Sequence, residues 1–383
     1  MRTAFGRARI VWLLALLTGP AQAQLRFDDD GEHGFDAGPW GYSNVQPNVV
    51  QSFTPLAAHR GDGGYRLLDN YSTGGNGSQG GIGIASLPRD ATIWLREWVR
   101  ISPTSINGNA VFTGIAGQDL RVTAPGGELQ LAGSAGGQFS LFTTTVRLDG
   151  GWHLMELYVE GIGTDAGTRA LWFDGVRVAR VGSLDFTGLG SNLLQIGEWW
   201  SDDRRWTGSL DFDDVRLSVE APASRLAVRE VGRIPGCVQV SVGLEASSTP
   251  GTFVPPVRDV LALATVDGGT LHPPSSGCLG AGTVDGVILL RAGTVPDASF
   301  FVRADAPGDL ELVVEEPDYL PAREVFSGLV PPDGGVKDSG VGDGGTGPRR
   351  YTVGCGCQGA SPGLSLWGLL LLARRTRRRG AHR

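Results

Sequence analysis

Glycine sets the tightest limit on what this chain can fold into. Its 383 residues include 60 Gly and 22 Pro, and the apolar runs between them are short. Turn-forming residues at that density interrupt every candidate helix, and no long stretch between the termini sustains helical periodicity. Short strands joined by tight turns are what such a sequence can build, so the expected class is all-β. Once the two ends are set aside as processing signals, the remaining length suits two domains.

The N-terminus carries Arg2, Arg7 and Arg9, then the apolar run IVWLLALL over 10–17, a Gly19-Pro20 break and a small-x-small site at Ala21-Gln22-Ala23. This is the pattern of a secretory signal peptide, 1–23, cleaved after Ala23. The run is too short for a span of about 20 residues, which weighs against an uncleaved anchor. No Cys follows the cleavage site, so the pattern is not that of a lipoprotein.

The other end has three parts: a Gly/Asp/Pro tract over 328–350, the Gly354-Cys355-Gly356-Cys357 motif, and the apolar run LSLWGLLLLA over 364–373 with Arg374, Arg375, Arg377, Arg378 and Arg379 behind it. The tract has almost nothing to bury and reads as a solvated tether. An apolar segment with a basic cytoplasmic end is a stop-transfer device. The order resembles the MYXO-CTERM sorting signal of myxobacteria, here 351–383. The resemblance implies cleavage by a sorting protease near Cys355, with Cys357 as the alternative, and a protein held at the cell surface. It implies contact with the membrane through this tail alone. A plain tail anchor is the alternative.

Between the ends, all eight Trp outside the signals lie between Trp40 and Trp206, and none occurs from 221 to 350. The shift falls at Ala221-Pro222-Ala223-Ser224, which places domains at 24–222 and 223–327. In the first, strands are predicted over 94–99, 152–159, 170–173, 176–179 and 210–219, with Asp174-Gly175 as a two-residue hairpin turn. In 94–99, Trp94, Arg96 and Trp98 share one face, and Leu95, Glu97 and Val99 share the other. In the second, strands are predicted over 238–242, 261–265, 287–291, 300–304 and 310–314. Cys237 and Cys278 are expected to pair in an oxidising exported setting, with free thiols the alternative.

Lys337 is the only lysine. The formal charge of −7 would fall to about −16 with the nine arginines of the two end segments removed. Such an acidic chain is a poor partner for nucleic acid, whose phosphates need cationic contacts.

The set Ala58-His59-Arg60-Gly61, Tyr65-Arg66-Leu67, Gly151-Trp152-His153 with Glu156, Phe173-Asp174-Gly175, and Gly208 with 211–216 resembles the concanavalin A-like lectin/glucanase superfamily in its laminin-G-like form. The segment 298–314 resembles the end of a bacterial Ig-like domain. Together these imply a jelly-roll β-sandwich followed by a smaller Ig-like β-sandwich. The first resemblance also implies a structural Ca²⁺ where the first and last strands meet, with Asp28, Asp213 and Asp214 as ligands; a solvated acidic edge is the alternative.

Three chemistries are weighed. A glucanase needs paired carboxylates at Glu-x-Asp-x-x-Glu spacing, which the chain lacks. A polysaccharide lyase has only Arg96, Arg100, His153 and Tyr158 as raw material, and His153 reads as structural beside Trp152. The third is a sugar platform on Glu198, Trp199, Trp200, Asp202 and Arg204, where indole faces stack on sugar rings and polar neighbours bind hydroxyls; the alternative is that these Trp cap the core. The expected function is therefore non-enzymatic binding of a polysaccharide or surface glycan. A lyase or glycoside hydrolase, or a structural surface protein, are the rivals. Intact-mass analysis of protein extracted from the cell surface should find the arginine-rich tail removed near Cys355; a tail still attached would overturn the sorting account.

Overall fold

The computed structural model describes residues 25–330 apart from 30, 32–39, 41, 46–48, 70–79, 85–91, 104–107, 125–126, 190–192, 202–207 and 296–297. The two end signals and the tether beyond residue 330, with Cys355 and Cys357, lie outside the described residues. Among the described residues no helix is long and apolar enough to cross a membrane.

Strands and turns account for nearly all of the described chain, as the glycine content demands; two short 3₁₀ turns, Pro55–Ala57 and Pro274–Ser276, are the helical elements. The first part is a jelly-roll β-sandwich of two antiparallel sheets. One sheet runs Val176–Leu184, Gly167–Phe173, Trp152–Glu160, Thr92–Pro103, Gly208–Ser218, Gly64–Asp69, Val49–Thr54, with Leu25–Asp29 also paired to Gly208–Ser218. The other runs Gln138–Arg147, Glu128–Ala135, Gln118–Ala124, Gly108–Ile115, Leu194–Ser201, Gly80–Ile84, Tyr42–Val45. Leu95, Val99, Leu157 and Phe212 of the first sheet meet Phe112, Leu120 and Leu131 of the second in one buried core.

The alternation foreseen in 94–99 holds. Leu95, Glu97 and Val99 face the core, while Trp94, Arg96 and Trp98 face outward. The Asp174-Gly175 hairpin also forms, with φ of 47° and 76°, the paired positive values that a type I′ turn requires. His153 braces it: its Nδ1 lies 2.9 Å from Asp174 Oδ2 and its Nε2 3.1 Å from Asp149 Oδ1, and Leu154 N donates to Asp174 Oδ1.

The strand Gly208–Ser218 is regular except at one place. Its register against Thr92–Pro103 shifts between Asp213 and Arg216, and Asp214 sits at φ 47°. This is a β-bulge, one extra residue absorbed by a local left-handed turn. It lets Leu210 and Phe212 before it, and Val215 and Leu217 after it, all point into the core.

The second sandwich has a core of its own, built on Leu226, Val240, Val242, Ala262, Val302, Leu312 and Phe326. Its sheets follow the order Gly269–His272, Ala298–Ala304, Cys237–Glu245, Arg225–Ile234, then Tyr319–Leu329, Gly308–Glu316, Val260–Asp267, Asp285–Leu290. A single parallel pairing, Arg225 with Leu320, joins the two halves. Strand Val260–Asp267 shows strict buried/exposed alternation, the mark of a sheet with one solvated face. Cys237 and Cys278 form a disulfide with Cα atoms 6.5 Å apart, tying the start of a core strand to the loop after the second 3₁₀ turn. Closing a loop of that length is worth about 4 kcal/mol in the chain-entropy model. Replacing both cysteines with serine should therefore lower the unfolding midpoint of the second sandwich in a denaturant titration, with a loss of unfolding free energy of about 4 kcal/mol. An unchanged midpoint would mean that the bridge does not constrain the unfolded chain.

Candidate functional site

Antiparallel pairing puts directly opposed residues on the same face, so the register of the first sheet lays its outward residues in transverse rows. Arg66, Asp211, Arg100 and Trp152 form one row across four strands. Asp213, Trp98 and Leu154 form the next. Asp28, Arg216, Arg96, Glu156 and Trp172 form a third. Ser218, Trp94, Tyr158 and Ala170 form a fourth.

The first row is partly open to solvent. Asp211 is fully buried and takes both guanidinium groups. Arg66 donates from Nε to Oδ1 at 2.6 Å and from Nη2 to Oδ2 at 2.8 Å; Arg100 donates to Oδ2 from Nε at 2.9 Å and Nη2 at 2.8 Å. Both arginines also donate to the carbonyl of Leu56, at the 3₁₀ turn. Arg100 lies over the indole of Trp152 at 4.8 Å. The side chains of Arg66 and Arg100 remain 24% and 26% exposed. The result is a pair of guanidinium groups fixed in orientation by a shared carboxylate, beside a half-buried indole, with one net positive charge.

The loop 58–63 borders this row, and Asp213 holds it in place. Its Oδ2 accepts from the backbone N–H of His59 (2.7 Å) and Arg60 (3.0 Å), and its Oδ1 from that of Asp214 (2.8 Å). Burial and the neighbouring Asp214 charge push the Asp213 carboxyl up to about 7 in spite of these bonds. His59 stacks on Trp98 at 3.9 Å and meets the edge of Trp152 at 5.5 Å.

The remaining rows lie beneath the second sandwich. Arg96 Nη2 donates to the carbonyl oxygen of Asp318, in the turn between Gly308–Glu316 and Tyr319–Leu329, and Trp98 Nε1 donates to the same oxygen at 3.4 Å. The Asp318 carboxylate receives Arg60 from the first sandwich and Arg258 from the second. Arg60 also reaches Glu316 Oε1 at 3.0 Å. Ala221, in the linker, and Tyr158 pack against the cluster of Trp94, Ala170 and Trp172. The hydroxyls of Ser224 and Ser247 lie alongside the Glu156 carboxyl but bond each other at 2.7 Å, and neither Glu156 oxygen has a partner of hydrogen-bonding geometry. Burial accordingly raises the Glu156 carboxyl to about 7.

The residues proposed from sequence fall in several places. Trp199 and Trp200 lie on Leu194–Ser201 of the opposite sheet, with Trp200 in register with Val111; the side chains of Glu198, Trp199 and Trp200, and all of Asp202 and Arg204, lie outside the described residues. Asp28 and Asp214 do come near one another, because the first strand pairs with the last. Their carboxylates are directed at cations: Asp28 takes Arg216 at 3.1 Å, and Asp214 lies 3.6 Å from Arg258. Among the described residues no group of three or more His, Cys, Asp or Glu could hold a metal ion. Glu97 is no candidate for surface chemistry. It lies inside the first sandwich, where Thr113 Oγ1 donates to it at 2.7 Å and burial pushes its carboxyl up to about 8. His153, read from sequence as structural beside Trp152, serves the Asp174-Gly175 hairpin. The Arg66–Asp211–Arg100–Trp152 row was not recognised as a unit, although each member stands in a segment singled out above. The alternation of Trp94, Arg96, Trp98 and Arg100 on one outward face was the available signal.

The site thus belongs to a jelly-roll β-sandwich with an arginine- and tryptophan-lined outer face. No protein-family profile matches the chain, and no curated protein matches it. Among solved structures it is similar to an endo-β-1,4-glucuronan lyase from the fungus Trichoderma reesei (15% identity, 51% of this chain and 96% of that one, TM-score 0.39). It is similar to the cellulose-induced protein Cip1 (15%, 51% and 97%, 0.36) and to the binding domain of botulinum neurotoxin DC, solved with rat synaptotagmin II (7%, 79% and 73%, 0.37). Scores at that level carry no argument about function.

Glu97, Glu156 and Asp213 share one sign. Each carboxyl is raised above its ordinary value in the folded protein, so each contributes stability that is full below pH about 4 and is lost as pH rises through 7–8. Thermal unfolding should therefore show a midpoint that falls from pH 5 to pH 8. Glu97→Gln, which keeps an acceptor for Thr113, should remove roughly 1–3 kcal/mol of that pH dependence. An unchanged slope would show that Glu97 does not titrate in this range.

Proposed function

We propose that this chain is an exported, surface-held carbohydrate-binding protein whose first sandwich, of concanavalin A-like type, binds glycan at the Arg66–Asp211–Arg100–Trp152 row. In this reading the second sandwich, of Ig-like type, is a spacer, and the tract over 328–350 tethers both to the sorted C-terminus. The observation that carries the reading is the row itself. Two guanidinium groups with orientation fixed by Asp211 offer donors to sugar hydroxyls or carboxylates, and Trp152 beside them offers an apolar face to a ring. Groups held in place before the ligand arrives lose little entropy on binding. Calcium at Asp28, Asp213 and Asp214 is not needed for this reading, because those carboxylates already take Arg216, the backbone N–H groups of His59, Arg60 and Asp214, and Arg258.

One observation favours a second reading. His59, whose buried Nδ1 faces Asp214 Oδ2 at 4.0 Å, stands on Trp98 beside Trp152, at the edge of a row that holds two arginines. A base beside cations that could neutralise a sugar acid is the raw material of β-elimination. Release of unsaturated ends from a uronate polymer, lost in His59→Ala, would select that reading.

The test of the binding reading is a glycan array probed with the full chain, with calcium and with chelator. Arg100→Ala and Trp152→Ala should each weaken binding by about ten- to a hundredfold, the loss expected for one charge-assisted bond or one stacking face. Glycan binding unaffected by both variants would move the site elsewhere, and no binding at all would leave a structural role.

A further inference from the structure

The junction between the two sandwiches is poorly satisfied for a permanent interface. Among the described residues, several buried polar atoms there have no hydrogen-bond partner: Arg96 Nε and Nη1, both Glu156 oxygens and Asp318 Oδ1, while His59 Nδ1 and Asp214 Oδ2 only face each other at 4.0 Å. Buried polar groups in folded proteins are nearly always bonded, and each one left without a partner destabilises the closed arrangement. These atoms lie on a face that carries rows of aromatic and arginine side chains. Trp94, Trp98, Tyr158 and Trp172 lie there around the fully buried Arg96.

One group of the second sandwich occupies the cationic part of that face. The turn at Asp318 presents a carbonyl oxygen to Arg96 and Trp98, and a carboxylate to Arg60 and Arg258. Glu316 adds a second carboxylate to Arg60 and fixes the turn by accepting from Asp318 N at 2.8 Å. A carboxylate and a neutral oxygen placed side by side, the oxygen at the N–H edge of the Trp98 indole, are the polar groups of an acidic sugar.

We propose that the outer face beneath the second sandwich is a second ligand site, for the uronic-acid units of an acidic polysaccharide, and that the Glu316–Asp318 turn fills it in this state. This rests on the carbohydrate reading above and deepens it. The open row takes the end of the chain that arrives first, and displacement of Asp318 extends the polar surface from Arg100 to Arg96, freeing the Trp98 Nε1 donor with Trp94 beside it. Glu156, whose oxygens find no partner in the closed junction, then has sugar hydroxyls to accept from.

The experiment uses the full chain and two probes that differ in one group, polygalacturonate and its methyl ester. Binding is measured by calorimetry. Solvent access to Trp94, Trp98 and Trp172 is measured by hydroxyl-radical footprinting read by mass spectrometry. Asp318→Asn and, separately, Arg258→Gln loosen the turn. Each should tighten polygalacturonate binding at least tenfold, because apparent affinity scales with the fraction of competent molecules. Each should leave the methyl ester unchanged, and oxidation of the three indoles should rise until ligand protects them. Adding Arg96→Gln should cancel the gain. Arg258→Gln keeps every first-sandwich residue and decides the matter if Asp318→Asn unfolds the second sandwich. The same comparison in an Arg100→Ala background separates the two sites. A gain that persists there supports the junction even if the open row fails as a site. Indoles that become accessible with no gain in polyuronate affinity, or a gain shared equally by the methyl ester, would overturn the proposal, as would indoles that stay protected in both variants.

Discussion

The extra residue in the strand Gly208–Ser218 organises most of what surrounds it. Alternation along a strand permits one apolar and one polar face, and the sequence Leu-Asp-Phe-Asp-Asp-Val-Arg-Leu-Ser breaks that alternation by doubling an aspartate. The bulge at Asp213–Asp214 absorbs the fault, so four apolar residues remain in the core. The acidic residues on the other face are thereby aimed at different tasks. Asp211 anchors two arginines, Asp213 holds the loop 58–63 by its backbone, and Asp214 faces Arg258. Past the bulge, Arg216 comes into line with Asp28 and Arg96. Without the bulge, either the core residues or the acidic ones would point the wrong way.

That strand and its neighbour Thr92–Pro103 give the first sandwich two unlike polar regions on one face. In the open region the charges are paired at short distances, and carbonyl and carboxylate acceptors set the angle of each guanidinium. In the covered region the charges are many and their hydrogen bonding is incomplete. The covered region sits in a low-dielectric setting, where an unpaired polar group is expensive. The difference between the two regions is one of satisfaction rather than composition, since both are made of Arg, Asp or Glu, and Trp.

Much of the fold was legible in the sequence. The all-β class followed from turn density, the strands over 94–99, 152–159 and 300–304 lie within observed ones, and the Asp174-Gly175 turn formed as its residue types require. The strands foreseen over 210–219 and 287–291 each ran one residue past the observed end, where the chain leaves the sheet and side-chain pattern gives no warning. That Trp94, Arg96 and Trp98 share one face was also legible, because alternation is local; that this face lies outside the core was shown by the packing. That Glu97 shares a face with Leu95 and Val99 was legible too, but its burial was not: only the packed core shows that a carboxyl at that position is sealed, with burial pushing it up to about 8.

The chain's own order of residues determined where strands begin, which faces are apolar, and where the composition changes near residue 222, because these depend on neighbours in sequence. Tertiary structure decided which residues share a row. Arg66, Arg100, Trp152 and Asp211 come from four separate strands, and their meeting depends on sheet order and register, which are set by long-range pairing and by one bulge. It also decided that a second sandwich lies over Arg96 and Trp98, bringing Asp318 to arginines more than two hundred residues away in sequence. No local pattern encodes that contact, because its energy comes from charges and surfaces that meet only after both sandwiches have formed.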